Sequence, residues 1–263
     1  MAARRPDPGR EVRVKADPGF GLSRVIEVED WRERFPWLVQ GVTLRDASGS
    51  DFDFGLSGEG SLGVGLRRWT GLRDLVGMDT VVVSRQVHGA TVRSHRISSP
   101  GFLLAPDCDG HITGAAGLLV AVTVADCVPV FLVTPESRVV ALLHAGWRGI
   151  AAGVLEAGID AFEDRFGVHP SELWVHLGPS VCGDCYEVGP EVHAALGLPE
   201  SRRPGLLDLR GHLAERAEAA GVRSERLGVS AYCTMEDGGF FSHRGGDPGR
   251  QVAYLGVRPL AAR

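Results

Sequence analysis

The strongest constraint on the fold is a set of three apolar segments, residues 118–124, 128–133 and 139–143. Each consists mostly of Val, Leu and Ala and shows no regular polar alternation. Such runs are typical of strands that are buried on both faces of a sheet. Cys127 and His144 stand at the ends of these strands, where polar residues either need partners or carry chemistry.

The composition indicates an ordinary globular chain. Its 263 residues are 44% hydrophobic and 23% charged, which suits one domain or at most two. A formal net charge of -5 without a basic stripe argues against a nucleic-acid partner. No apolar stretch reaches the ~18 residues of a membrane helix, and no apolar signal core follows the N-terminus. We therefore expect no membrane partner and a cytoplasmic location.

No linker or internal repeat divides the chain. Residues 1–20, rich in Pro, Gly and charge, are expected to form a flexible tail, and residues 21–263 a single domain. Further strands are predicted at residues 41–45, 80–88, 173–177, 227–232 and 251–257, and helices at residues 64–76, 150–166, 191–196 and 209–220.

Two local motifs do not qualify as ligand sites. Gly58, Gly60 and Gly63 spell G-x-G-x-x-G, but no buried strand precedes them, so we reject a dinucleotide site. Residues 107–110, Asp-Cys-Asp-Gly, resemble the start of a calcium loop. The later acidic ligands are missing, and a turn is the better interpretation.

Five cysteines in a chain without a secretion signal argue against a disulfide framework. Cys182 and Cys185 are spaced C-x-x-C, which suits half of a zinc site or a redox pair. No second C-x-x-C accompanies them. We therefore expect incidental thiols.

The residues with the clearest chemical potential are His88, Cys127 and His144. Two imidazoles and a thiolate are donors that zinc prefers, and three protein ligands leave a fourth position open, as in catalytic zinc sites. The same residues also fit two hydrogen-bonded histidines and a buried thiol without a metal. Arg148 precedes a predicted helix, whose start favours an anion, although a surface salt bridge fits Arg148 equally well. Because Lys15 is the only lysine and asparagine is absent, arginine is the expected side chain for binding phosphate.

Eight short motifs follow one another along the chain. They are Arg85-Gln86-Val87-His88-Gly89, Asp107-Cys108-Asp109-Gly110, Thr123-Val124-Ala125-Asp126-Cys127-Val128-Pro129, His144-Ala145-Gly146-Trp147-Arg148-Gly149, Gly178-Pro179-Ser180, Cys185-Tyr186-Glu187-Val188, Cys233-Thr234 and Phe240-Phe241-Ser242. Together they resemble the signatures of the YfiH-type family, first described as laccase-like multicopper polyphenol oxidases and now as purine nucleoside phosphorylases. The resemblance implies a single α/β domain with mixed sheets and flanking helices, similar to the toxin-type cysteine hydrolases.

The same resemblance implies a zinc ion, with copper possible, held by His88, Cys127 and His144. It also implies phosphorolysis of adenosine, inosine and methylthioadenosine, with adenosine deamination as a side activity. The expected partners are therefore a small nucleoside and phosphate. Copper-dependent polyphenol oxidation and amidase editing of a peptidoglycan precursor are alternatives within the family.

Roles can be assigned to further residues as hypotheses. Asp126, next to the cysteine, would carry a proton or anchor the site. Arg148, with Arg45 and Arg244 as additional candidates, would neutralise phosphate. Gln86 is expected to contact the substrate.

Two other hypotheses remain open. In a Cys-His hydrolase, Cys127 would be the nucleophile and His144 its base. A non-catalytic protein would bind the same metal ion without turning over a substrate.

Overall fold

The computed structural model describes residues 9–15, 24–45, 62–96, 100–199 and 202–259. The described strands are β1 Glu11–Lys15, β2 Arg24–Val28, β3 Leu38–Thr43, β4 Thr80–Ser84, β5 Val92–Ser94, β6 Gly101–Ala105, β7 Gly110–Thr113, β8 Leu118–Val124, β9 Val128–Thr134, β10 Val139–Ala145, β11 Trp174–Leu177, β12 Glu187–Val188, β13 Gly205–Leu206, β14 Leu227–Val229 and β15 Gln251–Val257. The described helices are α1 Glu29–Arg34, α2 Leu62–Leu75, α3 Trp147–Ala151, α4 Val154–Phe166, α5 Pro190–Ala195 and α6 Leu209–Ala219. None of these helices is long and apolar enough to cross a membrane. Gly58 and Gly60 of the rejected dinucleotide motif lie outside the described residues.

Two mixed sheets organise these elements. The seven-stranded sheet has the order β1-β2-β3-β15-β8-β4-β6, and the six-stranded sheet has the order β14-β11-β9-β10-β7-β5. Parallel pairing joins β4 to β6 and β8, β11 to β14, and β5 to β7. Strand β8 also pairs antiparallel with β15, and all neighbours of β9 and β10 are antiparallel. The predicted α/β class with mixed sheets and flanking helices is confirmed.

The two sheets face each other across one hydrophobic core. Val122 from β8, Phe131 from β9 and Leu142 from β10 belong to this core. A second cluster packs α4 and α6 against the six-stranded sheet, and a third packs α2 against the seven-stranded sheet. The central strands are therefore buried on both faces, as their apolar runs predicted, and their bounds agree with the prediction to within two residues.

A predicted helix and a predicted strand are interrupted or shortened for local reasons. The helix predicted at residues 150–166 is divided into α3 and α4, because Gly153 has φ 86°, which an α-helix does not accommodate. The strand predicted at residues 80–88 ends at Ser84. Beyond Ser84, the backbone N–H groups of residues 87–89 donate to the buried carboxylate of Asp109 instead of to a neighbouring strand.

Part of the predicted N-terminal tail belongs to the seven-stranded sheet. Residues 11–15 form β1, which pairs antiparallel with β2. The carboxylate of Glu11 lies 2.9 Å from Nε2 of His176 on β11 and accepts the hydroxyl hydrogen of Ser230, and its side chain is only 3% exposed. The prediction of a flexible tail is therefore wrong for residues 11–15. Composition does not reveal that the carboxylate of Glu11 is buried against the opposite sheet.

We expect Glu11→Ala to lower the free energy of unfolding by about 2–4 kcal/mol, because His176 and Ser230 would lose a buried partner. Glu11→Gln keeps an acceptor oxygen and should lose less. Urea unfolding measures both variants. Glu29→Ala, which removes a partly exposed ion pair with Arg10, is the control and should cost under about 1 kcal/mol. A loss for Glu11→Ala no larger than the control would contradict the buried role.

Candidate metal centre

The three residues predicted to form one site are neighbours at an edge of the double-sheet core. His88 follows β4, Cys127 follows β8, and His144 lies near the end of β10. One ligand atom from each residue lies within 4.8 Å of those of the other two. The two imidazole rings are edge-on to each other, with centroids 4.8 Å apart. These distances suit three donors that share one small cation.

Asp126 occupies the crossing between the two sheets. β8 and β9 belong to different sheets, and Asp126 between them has φ 84°, a left-handed conformation that costs on the order of 1–3 kcal/mol for a residue other than glycine. Its carboxylate accepts the Thr234 hydroxyl and the Arg244 backbone N–H, both at 2.6 Å. Because both oxygens are engaged, these contacts favour the anchoring role over the proton-carrying role.

Asp109 holds both histidines in place. Its carboxylate is fully buried and accepts the backbone N–H groups of Val87, His88 and Gly89 at 2.8–3.1 Å. The same carboxylate lies 2.9 Å from Nδ1 of His144, and the Asp109 carbonyl accepts the His144 backbone N–H at 2.7 Å. With Nδ1–H donating to Asp109, the other ring nitrogen of His144 is left with its lone pair for a metal ion.

The sequence interpretation missed this role of Asp109, since it treated residues 107–110 only as a turn. The available signal was an acidic residue directly before a buried strand, β7. Asp107 of the same motif instead pairs with Arg85 at the surface. Only the fold distinguishes the two aspartates.

The backbone around the centre is tightly constrained. His88 has φ 58°, which side-chain-bearing residues rarely adopt, and the contacts of Asp109 with this loop compensate for the strain. A Cβ atom at Gly146 would lie 2.8 Å from Sγ of Cys127 and 3.0 Å from Cδ2 of His88. Glycine at this position therefore leaves room for the centre.

The charges of the centre favour a thiolate. Desolvation would raise the pKa of the Cys127 thiol, but His144 and His88 outweigh it and lower that pKa to about 6. Desolvation would lower the pKa of His144, yet the Cys127 thiolate and Asp109 raise it to about 9. Near neutral pH and without a metal, Cys127 is therefore a thiolate paired with a protonated His144, and a metal ion would displace the ring proton when it binds.

The donor set fits a divalent cation of intermediate softness. Two imidazoles and one thiolate are typical zinc donors, and a carboxylate that orients a ligand histidine is typical of zinc sites. Copper accepts the same types of donor. The residues therefore support a metal without selecting between the two.

Two of the predicted phosphate-binding arginines lie on segments that border the centre. Arg148 is exposed in the first turn of α3, with its guanidinium 4.3 Å from the Trp147 ring centroid. Arg244 follows the segment anchored by Asp126, and its guanidinium lies 5.0 Å from the Tyr186 ring centroid. Tyr186 was not singled out from the sequence as a site residue. Its pKa is raised, chiefly by desolvation and then by the charge of the Cys127 thiolate.

The other two predicted binding residues are engaged with protein groups. Arg45 pairs with Asp247 and lies 4.5 Å from the Phe241 ring centroid. The Gln86 amide donates to the carbonyl of Thr123 and accepts from its N–H and hydroxyl at 2.8–3.0 Å. The substrate contact predicted for Gln86 therefore gains no support from its surroundings.

Comparison with known proteins identifies a matching family, several relatives and a similar solved structure. A family model described as multi-copper polyphenol oxidoreductase laccase matches residues 65–258. "Purine nucleoside phosphorylase YlmD" from Geobacillus stearothermophilus is 37% identical over 197 residues, which cover 67% of this chain and 72% of that protein. "Adenosine deaminase RL5" from an unknown prokaryotic organism is 32% identical over 188 residues, which cover 64% of this chain and 71% of that protein. The crystal structure of YlmD from G. stearothermophilus matches with a TM-score of 0.82 at 28% identity, covering 96% of this chain and 100% of that one.

We expect Asp109→Asn to weaken zinc binding by about 10–100-fold, because His144 would lose the carboxylate that orients it. Competition with a chromogenic chelator measures the affinity, and circular dichroism checks the fold. Asp107→Asn, two residues away at an exposed ion pair, is the matched control and should bind zinc like the wild type. Unchanged zinc affinity in a folded Asp109→Asn protein would contradict the orienting role.

Proposed function

The chain belongs to the YfiH-type family, whose model is described as multi-copper polyphenol oxidoreductase laccase, and we propose that it is a zinc-dependent purine nucleoside phosphorylase. The proposed substrates are adenosine, inosine and methylthioadenosine, with adenosine deamination as a side activity. Relatives named as a purine nucleoside phosphorylase and as an adenosine deaminase support an enzyme with these chemistries. The observation that carries the proposal is the meeting of His88, Cys127 and His144 at one centre. His88 is exposed, so the centre is accessible from solvent on that side.

The protein's own residues would hold and orient the reacting groups. A bound zinc ion would polarise a water, a phosphate oxygen or a base heteroatom, and would lower the pKa of bound water towards ~7. Asp109 fixes the tautomer and direction of His144. Asp126 accepts the backbone N–H of Arg244 and so would hold the segment from which this arginine extends.

Arg148 is the proposed principal phosphate ligand. It stands in the first turn of α3, which begins next to Gly146 and the centre. An arginine grips phosphate through two parallel hydrogen bonds, which the point charge of a lysine does not reproduce. Deamination consumes water instead of phosphate. The two reactions would therefore share the metal and the nucleoside but differ in their need for this arginine.

We expect Arg148→Lys to raise the phosphate concentration for half-maximal nucleoside cleavage about tenfold, or about 1.4 kcal/mol, while adenosine deamination changes less than about twofold. Chromatography of free base and sugar phosphate measures cleavage of the three nucleosides with and without phosphate. Arg34→Lys is the matched control, because Arg34 also lies over a tryptophan, Trp174, but on α1. Equal loss of both activities would reassign Arg148 to nucleoside positioning or to the fold. Cleavage that is independent of phosphate would contradict the phosphorylase proposal.

A Cys-His hydrolase is the second candidate, and one specific observation favours it. The side chains form a hydrogen-bonded series that matches a catalytic triad: Cys127 as nucleophile, His144 as base and Asp109 as the carboxylate that orients the base. This arrangement gives no role to His88. Its left-handed backbone is held by Asp109, and its ring lies beside that of His144. The zinc proposal uses all three residues, so we favour it.

Alkylation separates the two candidates. With zinc bound, Cys127 should react slowly with iodoacetamide, and a chelator should speed the reaction by about tenfold or more, because a bound thiolate is shielded. Peptide mass mapping resolves this thiol from the other cysteines. His88→Ala should react quickly without a chelator, since the centre loses a ligand. Equal rates at Cys127 before and after chelation of zinc-loaded protein would favour the hydrolase.

A further inference from the structure

A second group of metal-ligand side chains lies outside the centre already described. Cys182, Cys185, Cys233 and Glu236, here called the cysteine cluster, place their ligand atoms within 4.8 Å of one another. All three thiols are free. The expectation that the C-x-x-C pair consists of incidental thiols overlooked Cys233, which lies 48 residues beyond Cys185 and joins them only through the fold.

Backbone hydrogen bonds organise the two segments that carry the cluster. Residues 183–185 form a turn in which the Cys185 N–H donates to the Cys182 carbonyl at 3.2 Å. The Cys182 N–H in turn donates to Sγ of Cys233 at 3.3 Å. Burial would raise the pKa of the Cys233 thiol, but the backbone amides of Cys182, Glu236 and Met235 help to lower it. Amide donors around a sulfur stabilise its thiolate form. The arrangement therefore presents sulfur ligands from a turn and from a distant segment.

The chemistry of the donors indicates the type of ion. Three thiolates and one carboxylate would repel one another strongly unless a cation lies between them. A set rich in sulfur selects soft or borderline cations and disfavours calcium and magnesium, which require oxygen ligands. Four protein donors match a closed, tetrahedral structural site, in contrast to the three donors of the first centre.

We propose that the cysteine cluster binds a second divalent, thiophilic cation, with zinc as the best match, through the thiolates of Cys182, Cys185 and Cys233 and the carboxylate of Glu236. This ion is separate from the one held by His88, Cys127 and His144. It serves the structure of the loops and takes no part in the reaction.

The position of the cluster explains what the ion would do. Cys185 directly precedes Tyr186, whose ring lies under the Arg244 guanidinium. Cys233 directly precedes Thr234, whose hydroxyl binds Asp126 next to the first centre. The ion therefore fastens together two segments that border the first centre.

Metal analysis of dialysed protein by mass spectrometry tests the proposal. Wild-type protein loaded with zinc should retain two equivalents, and Cys182→Ser, Cys185→Ser and Cys233→Ser should each retain one. His88→Ala should also retain one, because it removes the other ion. Cys108→Ser is the matched control, since Cys108 is a buried thiol outside both groups, and it should retain two. Circular dichroism confirms that each variant is folded.

Cobalt absorption provides a second readout that does not depend on the serine variants. The intensity of the thiolate-to-cobalt charge-transfer band grows with the number of bound sulfurs, so folded His88→Ala loaded with cobalt should show the signal of three thiolates. One equivalent of zinc in the wild type, unchanged in Cys182→Ser, would overturn the proposal. A disulfide among the three cysteines in anaerobically purified protein would also overturn it. Either result leaves the first centre and the proposed function untouched, because His88→Ala tests them separately.

Discussion

The buried carboxylate of Asp109 is the interaction on which the candidate centre depends. Removing a carboxylate from water costs several kcal/mol unless good partners replace the solvent. Here the partners are three successive backbone N–H groups and the imidazole of His144. The loop of His88 follows a strand of one sheet, whereas His144 lies near the end of a strand of the other sheet. One side chain therefore sets the relative position of two donors that come from different layers.

The scaffold around this carboxylate is rigid where the centre needs precision. Strands β8, β9 and β10 are packed on both faces, so the residues at their ends have little freedom. His88 and Asp126 nevertheless have left-handed backbones, each of which costs on the order of 1–3 kcal/mol. The Asp109 carboxylate accepts the His88 N–H, and the Asp126 carboxylate accepts from Thr234 and Arg244. Backbone strain of this kind is typical of functional sites, and it persists there only when the surrounding packing compensates for it.

Irregular segments complete the surroundings of the centre, and side chains replace strand pairing as their support. The Gln251 amide binds both the N–H and the carbonyl of Phe241. Asp247 accepts the N–H of Ser242, and Asp126 accepts that of Arg244. The cysteine cluster would add a metal crosslink to this set of contacts. Long segments without regular structure can thus position groups beside the centre, provided that their backbone donors are satisfied.

The fold and the candidate centre were partly predictable from the sequence. Features that depend on neighbouring residues were predictable, whereas contacts between residues far apart in the chain were not. Strands β8 to β10 were predicted closely because burial on both faces leaves an unbroken apolar run that is visible locally. His88, Cys127 and His144 were identified as one group by residue chemistry and by the family signatures. Their co-location, however, is a property of the fold.

The sequence alone determined the central strands and the donor types of the centre through local patterns and side-chain chemistry, and it indicated the mixed class of the fold through the family signatures. Only the tertiary structure decided that Asp109 orients the histidines, that Glu11 is buried against His176, and that Cys233 joins the C-x-x-C pair. Each of these contacts joins residues 21 to 165 positions apart along the chain. No local periodicity encodes such pairings, since they arise only when distant segments pack together and enclose polar groups that need partners.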